Sequence, residues 1–235
     1  MTDSRKAYLR GVRHALPFIL VVAPFGMLFG VVASDAGLAE VEIAAFSLAV
    51  FAGAAQFAAL QLMQDQAPLW IILATSLAVN LRLVMYSVAI APHYGAAPIG
   101  LRAVMAYFLV DQSFALSMAE FDRRPTMTVA EKIGYFLGGV TPVTAVWFVS
   151  ILVGARMGRA IPPEYALDFA VPITFLALTA PMLRTVAHQA AAAVSVVAAL
   201  ALSALPYGTG LLVAAVLAMA TGVGVEAIHG RRARA

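Results

Sequence analysis

Eight stretches of this chain are each about as long as a membrane crossing and nearly free of charge: 17–34, 43–63, 69–91, 103–121, 133–153, 167–187, 189–205 and 208–226. A helix needs roughly 20 apolar residues to cross the hydrocarbon of a bilayer. The 235 residues are 63% hydrophobic and 11% charged, where a soluble domain has about 45–50% and 25%. A soluble core of this length cannot hide that much apolar surface, so lipid is the solvent the composition fits. The pattern predicts an all-α, polytopic membrane protein of about eight transmembrane helices, some of them kinked or discontinuous. It forms one transmembrane permease domain over residues 1–235.

Basic residues orient such a chain, because they concentrate in cytoplasmic loops. With eight crossings and the N-terminus inside, Arg102, Arg156 and Arg159 fall outside and Arg82 falls within the membrane. The remaining basic residues lie inside, including the tail Arg231, Arg232 and Arg234. An odd count would put that tail outside. Both termini are therefore expected in the cytoplasm. The net charge of +3 carries no basic tract interleaved with aromatics, so nucleic acid is not an expected partner.

Two ionisable residues stand deep inside apolar runs: Arg82 in "SLAVNLRLVMYS" and Asp111 in "AYFLVDQSFAL". A charge at a helix centre costs about 2.5–3.5 kcal/mol to insert. Arg82 lies nine residues before the end of the third run and Asp111 eight after the start of the fourth. In an antiparallel hairpin both reach the same depth, so the spacing predicts an Arg82–Asp111 pair, direct or through water. At 100° per residue, Thr75, Ser76, Asn80, Arg82, Tyr86 and Ser87 share one sector of the third run. Leu77, Leu81, Val84, Met85 and Val88 fill the opposite side. On the fourth run Tyr107 and Asp111 form an i, i+4 pair if the helix is continuous. The polar groups suit a transport path more than a simple lock between helices, since intramembrane ionisable groups usually mark pathways.

Softer signals lie elsewhere. Gly26 and Gly30, with Pro17 and Pro24, predict a kinked first helix with a close-packing face. Gly53 and Gln56 sit inside the second run, where freed backbone could touch a ligand. Pro172 and Pro181 bracket a short piece of the sixth run, a pattern of discontinuous transporter helices. The histidines form no His-Glu-x-x-His zinc pattern, and no nucleophile elbow or phosphate loop is present. No catalytic residues, metal site or cofactor are expected, and the chain reads as something other than an enzyme.

The motifs "PFGMLFG" (24–30), "SLAVFAGAAQF" (47–57), "NLRLVMYS" (80–87), "DQSFAL" (111–116) and "LDFAVPITFLALTAP" (167–181), in this order, resemble the AzlC family. That family is the large subunit of bacterial branched-chain amino-acid exporters. The resemblance implies a multi-pass inner-membrane permease with a small AzlD-like membrane subunit. It implies export of valine, leucine, isoleucine and analogues such as methionine. Gln112 follows Asp111 where the family often has a second acid, which weighs against mechanisms needing adjacent carboxylates. The expected path comprises Gly53, Gln56, Asn80, Arg82, Tyr86, Tyr107, Asp111 and Pro172. Arg82 with Asn80, or a helix N-terminus near Gly53 or Pro172, is expected to receive the carboxylate, and Asp111 the ammonium or a coupling proton. The rival reading is a passive channel or a structural membrane subunit for another small solute.

Overall fold

The computed structural model describes residues 3–158, 176, 183, 185–203, 205 and 209–232, the side chains of 229–232 excepted. Every regular element among them is helical: α1 (Asp3–Asp35), α2 (Glu40–Ala49), α3 (Gly53–Gln64), α4 (Leu69–Ile90), α5 (Ile99–Tyr107), α6 (Asp111–Arg123), α7 (Val129–Gly158), α8 (Val186–Ala201) and α9 (Thr209–Arg232). A 3-10 turn, Ala91–His93, follows α4. Four helices are long and apolar enough to cross a membrane: α1, α4 with its 3-10 turn, α7, and α9 over Thr209–Ile228. Three of the described runs take another form. The second and fourth are each two short helices, and the seventh is a 16-residue helix. The sixth run, with Pro172 and Pro181, lies almost wholly outside the described residues.

The chain divides into two compact units, Met1–Phe57 with Val79–Tyr165, and Ala58–Ala78 with Ala166–Ala235. In the second, α8 and α9 form an antiparallel hairpin. A Cβ added at Gly222 would meet Ala191 at 3.5 Å, and one at Gly210 would meet the Leu202 carbonyl.

The frame of the first unit is a parallel pair, α1 and α7. Ser4 Oγ donates to the Ala130 carbonyl at 3.1 Å near the start of both helices, and Tyr8 donates to Thr141 at 3.0 Å nearer the middle of α7. Farther along, a Cβ at Gly30 would stand 2.0 Å from the Ile151 carbonyl oxygen, and one at Gly154 equally close to that of Met27. Glycine lets the two backbones touch, the usual device for packing helices where no hydrophobic effect drives them together. The close-packing face read from Gly26 and Gly30 is this contact. α1 runs unbroken through Pro17 and Pro24.

Two broken helices enter this frame from opposite ends. α2 begins beside the end of α7, where Arg156 pairs with Glu40 at 3.2 Å. It breaks after Ala49, and the chain doubles back: Phe46 and Phe57, on either side of the break, both pack on Phe29, at 6.0 and 5.3 Å. A continuous helix would hold them about 16 Å apart. α5 and α6 behave likewise from the amino end of α1. Met105 of α5 and Phe121 of α6 share one buried cluster with Tyr94 and Phe136. At that end Arg10 pairs with Glu120, and Lys132 donates to His93 at 3.1 Å.

The tips of the two hairpins meet. Phe51, in the first break, packs on Tyr107 at 5.9 Å and on Phe108 at 5.4 Å. The Tyr107 hydroxyl donates to the Leu48 carbonyl at the end of α2.

Candidate functional site

Breaking a helix inside a membrane frees backbone groups that lipid cannot satisfy, so each break needs its own donors and acceptors. In the first, the Gln56 amide donates to the Val50 carbonyl. In the second, the Ser113 hydroxyl accepts from the Val110 N–H at 2.9 Å and can donate to the Phe108 carbonyl at 2.9 Å. Phe51 and Phe108 stand at corresponding points of the two breaks. Phe57 and Phe114 follow six residues later in each case. Phe29 of α1 packs on Phe57, and Tyr86 of α4 packs on Phe114 at 4.2 Å with rings nearly parallel. Each member of the second set stands 57 positions after its counterpart. Within the first unit the two breaks, and the residues that pack on them, thus follow one plan at a constant offset, with the second break entered from the other end.

The copies differ in chemistry. By the same offset, Arg82 replaces Phe25, Tyr86 replaces Phe29 and Asp111 replaces Ala54. Around the first hairpin, Phe25, Phe29, Phe57 and Trp147 make an aromatic cluster. At the second, Arg82 Nη1 lies 3.2 Å from Asp111 Oδ2. Tyr86 donates to Asp111 Oδ1 at 3.0 Å.

The Arg82–Asp111 pair expected from matched depths therefore forms directly. Asp111 opens α6, where the positive helix terminus favours a carboxylate. The Tyr107–Asp111 pair on one helical face does not form, because the break at 108–110 separates them and Tyr107 turns to Leu48. Gln56 is fully buried in the first break, and Gly53 packs there under Phe25 and Trp147. Neither reaches the charged pair by any hydrogen bond among the described residues. Asn80 lies on α4 two residues before Arg82; its buried Oδ1 has no hydrogen-bond partner among the described residues, and neither has Arg82 Nε. Pro172 lies outside the described residues.

The side chains of Arg82 and Asp111 are 37% and 44% exposed. Midway along a membrane-crossing helix, that open surface cannot face hydrocarbon without the insertion penalty of both charges. It suits a wet crevice instead. The apolar face read for α4 is indeed turned outward: Leu77, Leu81, Val84, Met85 and Val88 are each more than half exposed.

Sequence reasoning passed over Glu120. Its side chain is 1% exposed and is held by Arg10 at 3.3 Å, Arg124 at 3.2 Å and Arg123. The i, i+3 and i, i+4 spacing to Arg123 and Arg124 was a legible signal. Arg10, far away in sequence, was not. Arg102 also moves. It stands beside Tyr94 and Phe136 at the amino end of α1, and not on the opposite side as eight full crossings require.

The family described as AzlC protein matches residues 17–161, which include Gly53, Gln56, Asn80, Arg82, Tyr86, Tyr107 and Asp111. The fifth motif, 167–181, lies beyond that match. An uncharacterized membrane protein of Archaeoglobus fulgidus is 28% identical over 184 residues, 75% of this chain and 76% of its own. Inner membrane protein YgaZ of Escherichia coli K12 is 25% identical over 175 residues, 72% of this chain and 70% of its own. A membrane protein of Helicobacter pylori J99 is 32% identical over 117 residues, about half of each chain. No solved structure matches.

Proposed function

The chain belongs to the AzlC family of membrane proteins, and from that premise we propose that it is a secondary exporter of branched-chain and other neutral aliphatic amino acids. It works with a small AzlD-like subunit in a bacterial inner membrane. The observation that carries this reading is the Arg82–Asp111 pair, with Tyr86 on the carboxylate, where the break between α5 and α6 meets the middle of α4. Opposite charges side by side are complementary to a zwitterion, which needs a donor for its carboxylate and an acceptor for its ammonium. Guanidinium is the best-shaped carboxylate donor among side chains. Asn80 Oδ1 and Arg82 Nε, which have no partner among the described residues, are further polar groups that a ligand can engage. Substrate binding replaces one internal ion pair by two, and release restores it. Asp111, once freed, is also the group that carries a coupling proton.

The remaining assignments rest on general principles. An apolar pocket separates solutes differing by one methylene by only about 1–3 kcal/mol, so valine, leucine, isoleucine and methionine overlap. Arg5, Lys6, Arg10, Arg13, Arg102, Arg123, Arg124 and Lys132 gather at the amino end of α1, which supports a cytoplasmic N-terminus. The relative from E. coli is named an inner membrane protein, which supports the same compartment here. The partner rests on the family resemblance.

The test is counterflow of labelled leucine into liposomes holding this chain and its small partner. Saturable uptake against an internal leucine load is expected. Flux linear in concentration would make the chain a channel; no flux of any aliphatic amino acid would leave it a structural subunit.

A further inference from the structure

One turn beyond Tyr86, toward the amino end of α1, a cavity of about 190 Å³ opens between α4 and α5. Ile90, Met105, Leu109 and Phe136 give it hydrocarbon walls, and Ser87, Ala91, Tyr94, Arg102 and Ala106 complete the lining. It adjoins the charged site in two ways. Leu109 belongs to the second break, two residues before Asp111. Tyr86, which donates to Asp111, packs against the same buried cluster as Ile90, Tyr94, Met105, Leu109 and Phe136. Arg82 and Ile90 are eight residues apart on α4, a rise of about 12 Å.

Arg102 is exposed, and no acid pairs with it among the described residues. Arg10, Arg82, Arg123, Arg124 and Arg156, by contrast, each hold a carboxylate. A free guanidinium beside a small hydrocarbon-walled space defines its ligand narrowly. The ligand carries a carboxylate for the cation and a short alkyl group for the walls. An inorganic anion leaves the walls unused, and the paired long chains of a phospholipid exceed the volume.

We propose that this cavity is a loading site on the amino-end side, where the carboxylate of an aliphatic amino acid docks on Arg102 and its side chain enters between Ile90, Met105 and Phe136. The inference rests on the proposed function for the identity of the solute. From here the solute moves along α4 to Arg82 and Asp111, where its ammonium first meets an acid. Loading therefore requires the carboxylate and the alkyl group, whereas transport requires the ammonium as well.

The chain contains no cysteine, so an introduced thiol is its only one. Ala106→Cys lines the cavity. The full-length variant, in membranes opened to both sides, is labelled with a water-soluble maleimide. The probes are leucine, 4-methylpentanoate (leucine without its ammonium) and 3-methylbutylamine (leucine without its carboxylate). The first two are expected to slow labelling several-fold and the amine to leave it unchanged. Adding Arg102→Gln is expected to raise the half-protecting concentration about tenfold, and Arg102→Lys to recover much of it. Labelling that no carboxylate slows, or a thiol that never reacts, overturns the loading site. So does protection that survives Arg102→Gln. Protection by a short-chain phospholipid alone makes the cavity a lipid site and also overturns it. Leucine counterflow without protection removes the loading site and leaves the exporter. Protection by 4-methylpentanoate without any counterflow keeps the site and removes the exporter.

Discussion

At Arg82 the guanidinium holds one carboxylate, and its Nε holds nothing among the described residues. An ion pair that served only to lock α4 to α6 would be expected to satisfy both. Because each side chain is more than a third exposed, water screens the pair, and its coupling is that of an exposed one, about 0.5–1 kcal/mol. A double-mutant cycle on thermal midpoints in detergent is expected to show it: Arg82→Ala with Asp111→Ala should lose less stability than the two single losses summed. Additive losses would mean that the pair contributes nothing to the fold. Glu120 makes the opposite case. Its carboxylate is buried among three arginines and makes no use of open space. Glu120→Gln should lower stability by about 1–3 kcal/mol, since a buried group loses charge-assisted bonds, while leaving the half-saturating leucine concentration in place. The sequence exposed Arg82 and Asp111 because each stands alone in a greasy run. Glu120 shows only in its spacing to Arg123 and Arg124, because an acid at a run end otherwise looks like a loop residue.

Helices record the same contrast between hydropathy and hydrogen bonding. The apolar runs 43–63 and 103–121 read as single crossings because their hydropathy does not falter. The chain breaks them with side-chain hydrogen bonds that hydropathy does not register. At the second break no glycine or proline marks the spot. The cue is Asp111 in a first turn and Ser113 two residues on, ordinary signs of a helix start that an unbroken apolar run outweighs. Ser113→Ala removes the acceptor of the Val110 N–H and is expected to destabilise by about 1 kcal/mol, the usual loss of a helix cap. Because Asp111 sits on the same turn, the variant should also bind leucine more weakly, which distinguishes it from Glu120→Gln in one transport assay. The glycines of α1 were more legible, since small residues four apart are a packing signal in membranes. Gly30→Ala places a methyl 2.0 Å from the Ile151 carbonyl oxygen. It is expected to destabilise by about 1–3 kcal/mol, the range for overpacking, with a lowered thermal midpoint as the readout. An unchanged midpoint would mean that α1 and α7 can part at no loss.

For the molecule as a whole, the repeated plan explains why one site is charged and its counterpart is not. Two hairpins enter from opposite ends and touch at Phe51, Tyr107 and Phe108. The second copy carries Arg82, Tyr86 and Asp111 where the first carries Phe25, Phe29 and Ala54. Such a pair of opposed hairpins, with a charged pair at one break, suits the proposed transport. The all-helical class and membrane residence were legible from the spacing of apolar runs alone. The duplication was not, because its two copies share few identical residues and run in opposite senses. The account stands or falls on Asp111, and the direct measurement is leucine counterflow by Asp111→Asn in liposomes that also hold the small partner, alongside its thermal midpoint. An isosteric change that removes only the charge should abolish counterflow, to less than about a hundredth of wild type, while the midpoint shifts by no more than a few degrees. Counterflow within twofold of wild type would contradict the account, because the ammonium would then have no need of the one acid at the tip of the second hairpin.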